Sequence, residues 1–128
     1  MTCFWKGIIN CLDVNDFNKF GINRKPTEYE LVKLLKLNNK LCYMVKCHDE
    51  YLSDIFLHEC KLAINELDIN SIKNGYYCST CDPFLILVCN LFKCNIEHDY
   101  CNHKIKYEIY NSIKTINVKS NKSHFEKS

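Results

Sequence analysis

Two groups near the ends of this sequence have the residue types that thiol chemistry requires. Cys3 opens an apolar segment, Cys3-Phe4-Trp5, and His124 and Glu126 follow a run of alternating residues in Ser123-His124-Phe125-Glu126. The thiolate is the nucleophile in such chemistry, and the positive end of a helix macrodipole favours it. A base must then reach the thiol and be held in the right tautomer by a third group. Glu126 lies two residues beyond His124, so along a strand both side chains point to one face. The expected set is Cys3 as nucleophile, His124 as general base and Glu126 as the group that orients the imidazole. Taken singly, each is an ordinary residue near a chain end; they gain meaning only together.

A metal site is the rival chemistry. Cys78 and Cys81 have the Cys-x-x-Cys half-spacing of a zinc knuckle, and Cys101 and His103 would complete four ligands. Against this set, Asp82-Pro83 begins a helix directly after Cys81, and Cys101-x-His103 is a short second pair. Cys42, Cys47 and His48 form a looser group. The expectation is no metal and no other cofactor. His98 falls on the inward side of its strand and reads as a satisfied core residue, whereas His58 sits among charged neighbours and reads as exposed.

The elements that would position these groups follow from apolar periodicity. Phe4, Ile8 and Leu12 recur at helical spacing, which predicts a helix over about 3–12. The polar stretch 13–25 reads as loop. Thr27 and Glu30 have capping-box spacing ahead of Leu31, Leu34, Leu35 and Asn38. Residues 41–47 read as a strand. Ser53 is an N-cap, with Leu52 and Leu57 as a hydrophobic staple, for a helix whose buried stripe is Phe56, Cys60, Ala63, Ile64 and Leu67. Asn74-Gly75 marks a turn. Asp82 caps and Pro83 starts a helix, 83–92, with almost no polar face, which places it centrally. After Lys93 the period becomes two: Ile96, His98 and Tyr100, then Ile105, Tyr107 and Ile109, then Ile116 and Val118, with a last short strand at 124–126. Helices first and strands last read as α+β, with helices packed on a small C-terminal sheet.

Composition narrows the partners. A chain of 128 residues that is 47% apolar builds one domain with a core that needs neither metal nor disulfides. A net charge of +2 with scattered lysines points to no nucleic-acid partner. Tyr76, Tyr77, Tyr100, Tyr107 and Tyr110 near lysines suggest a half-buried sheet face rather than a stacking surface. No apolar run is long enough to span a membrane, and the first residues lack a signal-peptide pattern. The ten cysteines are therefore expected to be reduced, with Cys11, Cys60 and Cys89 as small core residues.

Cys3-Phe4-Trp5 and the helix through Ile8 and Ile9 resemble the nucleophile segment of the ovarian-tumour (OTU) family of cysteine proteases, whose motif is Asp-Gly-x-Cys followed by Leu or Phe, an aromatic and a helix. The helix 83–92 with the strand 96–100, and Thr115-Ile116-Asn117-Val118 leading through Ser120-Asn121 to His124-Phe125, are similar to the family's later segments in the same order. The style is nearest that of OTU-like proteins of large DNA viruses, and abundant Lys, Asn and Ile fit an A/T-rich genome. The resemblance implies an OTU-like fold over 1–128 and hydrolysis of isopeptide bonds to ubiquitin or a ubiquitin-like protein. It carries Cys3, His124 and Glu126 onto the family's nucleophile, base and orienting residue. The family's Asp would fall before Met1, and neither Met1 nor Thr2 is its Gly, so the expected domain is truncated at its N-terminus and weak in turnover. The corresponding state is a monomer, intracellular, in host cytoplasm for a viral source. Two other readings stay open: a catalytically inactive OTU-like module that binds ubiquitin or another protein, and a small zinc-stabilised interaction protein.

Overall fold

The change of apolar period after Lys93 separates a mainly helical part from four successive strands, and two short strands earlier in the chain, at 45–47 and 50–51, join the same sheet. The computed structural model describes residues 3–40, 45–47, 49–121 and 124–128. The helices are α1 (Cys3–Cys11), α2 (Val14–Asn18), α3 (Glu28–Leu37), α4 (Asp54–Glu66) and α5 (Pro83–Phe92), with a 3-10 turn at Ile69–Asn74. The strands are β1 (Val45–Cys47), β2 (Glu50–Tyr51), β3 (Cys94–Tyr100), β4 (His103–Ile109), β5 (Lys114–Ser120) and β6 (Phe125–Lys127). They form one open six-stranded sheet in the order β2-β1-β4-β3-β5-β6. The architecture is α+β, as the periodicity implies.

Local signals account for most of the elements. Thr27 and Glu30 form the expected reciprocal cap: Glu30 N–H donates to Thr27 Oγ1 and Thr27 N–H to Glu30 Oε1. Ser53 Oγ accepts from Phe56 N–H, and Asp82 caps α5 with Pro83 in its first turn. All of α5 except Pro83, Asn90 and Leu91 is buried, so it forms the centre of the core. Along β3 the buried residues are Cys94, Ile96 and His98; along β4, Ile105, Tyr107 and Ile109; along β5, Ile116 and Val118. Each set keeps the alternation of a half-buried strand.

Several expectations need correction. The stretch after Leu12 is not all loop: Asp13 N–H donates to the Asp16 carboxylate, and the short α2 buries Phe17. On α4 the inward stripe runs through Leu57, Cys60 and Ile64, while Ala63 faces solvent. Of the strand expected at 41–47, only β1 lies within the described residues. The cysteines are not all reduced, because Cys47 is bonded to Cys81. That bond ties β1 to the residue before the α5 cap, across a separation of 34 residues. Disulfides persist in oxidising surroundings, and closing a loop of this size contributes about 4 kcal/mol through the unfolded state. Adding a reductant, or Cys47→Ser, is therefore expected to lower the free energy of denaturant unfolding by about 4 kcal/mol. An unchanged midpoint would show that the bond does not form in solution.

The sheet connections bring the two chain ends together. β3 and β4 are joined by a tight turn at Cys101 and Asn102, both at positive φ. The chain then crosses over the start of β3, where Ile113 N–H donates to Lys93 O, and enters β5 parallel to β3. β6 returns antiparallel to β5 and lies against α1. Gly7 makes that contact close: a Cβ there would fall 2.7 Å from Phe125 Cδ1 and 3.5 Å from Glu126 Cα. Phe125 is itself buried, so its ring has little room to yield. Gly7→Ala is expected to destabilise the fold by about 2 kcal/mol, although the same change on an open helix stabilises by about 1 kcal/mol. A raised denaturant midpoint would contradict the close α1–β6 packing.

Candidate functional site

Cys3 is the first residue of α1 and is partly exposed. Its neighbour Phe4 is buried, and the Phe4 and Phe125 rings lie 4.7 Å apart between centroids. Phe125 in turn follows His124. The two aromatic neighbours therefore bring the candidate nucleophile and base to one end of the α1–β6 contact. His124 sits just before β6 in the β5–β6 loop. Its N–H donates to Asn121 Oδ1 at 3.0 Å, and its carbonyl accepts from Asn121 N–H at 2.9 Å. This reciprocal pair clamps the loop and gives the histidine backbone a defined place.

Cys3 and His124 line the same cleft, of about 150 Å³. Asn74, Tyr77 and Cys78 line it too, as does Ser120 at the end of β5. Glu126 Oε2 lies 3.7 Å from His124 Nε2, beyond hydrogen-bond reach, with both side chains half exposed. Glu126 also faces Lys119 Nζ at 3.6 Å, so the imidazole and an ammonium share the carboxylate. An approach at Nε2 leaves the other ring nitrogen for a thiol. Such contacts are often long before substrate binds.

One wall of the cleft is built on a buried carboxylate. Asp82 is fully buried, and its Oδ2 accepts from Tyr76 Oη–H at 2.8 Å, Ser79 N–H at 3.0 Å and Ser79 Oγ–H at 3.2 Å. Its Oδ1 accepts from Phe84 N–H at 2.9 Å, which is the α5 cap. Asp82 N–H donates to Tyr107 Oη at 2.9 Å, linking the cap to β4. Burial pushes the Asp82 carboxyl up, while these donors pull it down. Tyr76 packs by its ring on Phe4, Trp5 and Phe84. One carboxylate thus positions this wall. The Asn74-Gly75 turn and the Asp82 cap were visible in the sequence; their meeting at the cleft was not.

The choice between the two cleft cysteines rests on environment. Burial, then the Asp82 charge and a hydrogen bond to it, push the Cys78 thiol far up. It is poorly suited to ionise, whereas Cys3 is the partly exposed first residue of α1. Among the other thiols, burial pushes Cys11 and Cys60 up to about 11 and raises Cys89 well above the ordinary value.

The candidate metal set does not assemble. Cys81 is bonded to Cys47, Cys78 lines the cleft, and Cys101 and His103 are exposed on the β3–β4 hairpin. Among the described residues no group of three or more His, Cys, Asp or Glu side chains is placed to hold a metal ion. Cys42 and His48, of the looser set, lie outside the described residues, as do Met1, Thr2 and Ser123. The tyrosines do not form a stacking platform, since Tyr107 is buried and Tyr76 packs in the aromatic cluster, leaving Tyr77 and Tyr110 exposed. No helix among the described residues is long and apolar enough to cross a membrane.

His98 corrects the expectation of a satisfied core histidine. It is fully buried, yet only Nε2 has a partner, Ser120 Oγ at 2.6 Å, and Nδ1 has none. Burial pushes its pKa down to about 4, which keeps the ring neutral near pH 7. Strand alternation placed His98 inward; nothing in the spacing pointed to Ser120 as its partner. Compared with protein-family models, with curated proteins and with solved structures, the chain matches none of them.

Proposed function

We propose that this chain is an OTU-like cysteine hydrolase that cleaves isopeptide bonds to ubiquitin or a ubiquitin-like protein. The observation that supports the reading most is that Cys3, at the start of α1, and His124, at the end of the β5–β6 loop, line one cleft. Cys3 as thiolate attacks the scissile carbonyl carbon, and His124 takes the thiol proton. His124 then returns a proton to the leaving lysine amine, and water releases the acyl group from sulfur. Glu126 holds the charged imidazole by electrostatics rather than by a short hydrogen bond. The same reading includes a monomeric enzyme with a ubiquitin-type protein as its partner, no cofactor, and host cytoplasm as its place. The Cys47–Cys81 bond is the feature that sits least easily with a reducing compartment.

One observation favours a second reading, an OTU-like module that binds such a partner without cutting it. His124 and Glu126 are half exposed and 3.7 Å apart, a loose arrangement for a base and its orienting group. A ubiquitin carrying an electrophile at its C-terminus separates the two readings. The hydrolase forms an adduct mapped to Cys3, whereas the binding module retains unmodified ubiquitin without forming one.

A further inference from the structure

The Ser120–His98 pair is used by neither the proposed nucleophile nor its base, yet it opens onto the same cleft. Ser120 ends β5 between Tyr100 of β3 and Phe125 of β6. Its carbonyl accepts from Cys101 N–H at 3.0 Å, which fixes the backbone. Ser120 lines the cleft together with Cys3 and His124. Beneath it, the His98 ring is held between Tyr100 and Phe125, at centroid distances of 5.6 and 5.7 Å.

The unpartnered Nδ1 of His98 decides which way the hydrogen bond runs. A neutral imidazole carries one proton. On Nδ1 it would be a buried N–H with no acceptor, the rarest and costliest kind of orphan. On Nε2 it is donated to Ser120 Oγ, and Nδ1 is left as an unpartnered acceptor, which is cheaper. In that tautomer Ser120 Oγ receives a hydrogen bond from below and its own proton is available to the cleft.

We propose that Ser120 donates a hydrogen bond to the carbonyl oxygen of the bond being cleaved, and that His98 is the positioning residue that aims it. This rests on the hydrolase reading and names a part of that site. The ligand group is the carbonyl of a peptide or isopeptide, which becomes an oxyanion when Cys3 attacks. A donor aimed at that oxygen strengthens as charge develops, so its loss falls on kcat more than on KM.

Two measurements test it. In wild-type protein labelled with 15N, two-bond correlations read the His98 tautomer directly; Nε2–H near pH 7 is expected, and Nδ1–H would overturn the proposal. Steady-state hydrolysis of a ubiquitin C-terminal amide then compares wild type, Ser120→Ala and Ser120→Thr. Ser120→Ala is expected to lower kcat about 10- to 30-fold with KM changed less than about twofold. Ser120→Thr, which keeps the hydroxyl, is expected to restore most of kcat. Circular dichroism confirms that each variant is folded, since a structural defect would not be rescued in kcat alone. Equal kcat in wild type and Ser120→Ala overturns the donor role and leaves the hydrolase reading standing. A wild type that neither turns over nor forms an adduct at Cys3 overturns the hydrolase reading, and the donor role with it.

Discussion

Cys3→Ala is expected to leave no hydrolysis of a ubiquitin-type isopeptide bond, whereas His124→Ala lowers kcat/KM about 10³-fold and Glu126→Ala about 10-fold or less. The order follows from the role proposed for each group. Cys3 forms the covalent bond, and none of the remaining cleft residues replaces it: Cys78 shares the cleft, but burial and Asp82 keep its thiol protonated. His124 transfers protons, and general acid–base catalysis by one side chain is worth roughly 10²–10⁴. Glu126 stands 3.7 Å from the imidazole, is half exposed, and also faces Lys119. An exposed ion pair contributes at most ~1 kcal/mol, which bounds its effect at roughly tenfold or less. Initial rates across a substrate series would check the ranking. A Glu126→Ala loss as large as that of His124→Ala would mean a much tighter pair than this geometry holds.

Asp82→Ala is expected to cost about 4 kcal/mol of folding stability, a loss as large as that of the disulfide. Removing the carboxylate strips the α5 cap, worth about 1 kcal/mol. It also leaves Tyr76 Oη–H and the Ser79 donors without their acceptor inside the protein, at about 1–3 kcal/mol for each donor that water does not reach. Asp82→Asn keeps the shape and part of the acceptor capacity but brings an amide among donors, so a loss of about 2 kcal/mol is expected. Urea unfolding followed by tryptophan fluorescence measures both, because Trp5 packs at 4.9 Å from Phe84 and 5.2 Å from Tyr76. An Asp82→Ala protein as stable as wild type would show that the wall is held by aromatic packing alone. Because the same carboxylate positions Tyr76 and its neighbours along the cleft, activity is expected to fall with stability.

Much of this arrangement was legible because local physics set it. The shift from helical to two-residue periodicity at Lys93 marks where α5 ends and β3 begins. Thr27–Glu30 and Asp82-Pro83 announced two helix starts that the structure forms. The short α2 was missed because it has too few apolar residues for a period, and its signal is only the Asp13–Asp16 spacing and Phe17. Long-range placements were less accessible. Cys47 and Cys81 meet because β1 pairs with β4, which carries Tyr107 beneath the Asp82 cap; spacing along the chain holds no trace of that. The parallel β3–β5 pair follows from a short connection that crosses over the start of β3 and is not distinguishable in sequence from a simple meander.

The same distinction holds within the candidate site. Cys3, His124 and Glu126 were recognisable by residue type and order, and the fold places the first two on one cleft. The Asp82-held wall and the His98–Ser120 pair were not recognisable, because hydrogen bonds between elements create them. Alternation put His98 inward, and nothing along the chain marked Ser120 as its partner. Only the parallel register, which sets His98 beside Val118 and Tyr100 beside Ser120, brings the imidazole to the hydroxyl.

The central claim is that Cys3 is a nucleophile served by His124 in a cleft that accepts the C-terminus of a ubiquitin-type protein. Its most direct measurement is mass-spectrometric mapping of the adduct formed with ubiquitin bearing a C-terminal electrophile, on wild type and on His124→Ala. The expected result is one adduct per chain at Cys3, formed at least about 10²-fold more slowly when His124 is removed. No adduct despite bound ubiquitin, an adduct at Cys78, or a Cys3 adduct whose rate ignores His124 would contradict it.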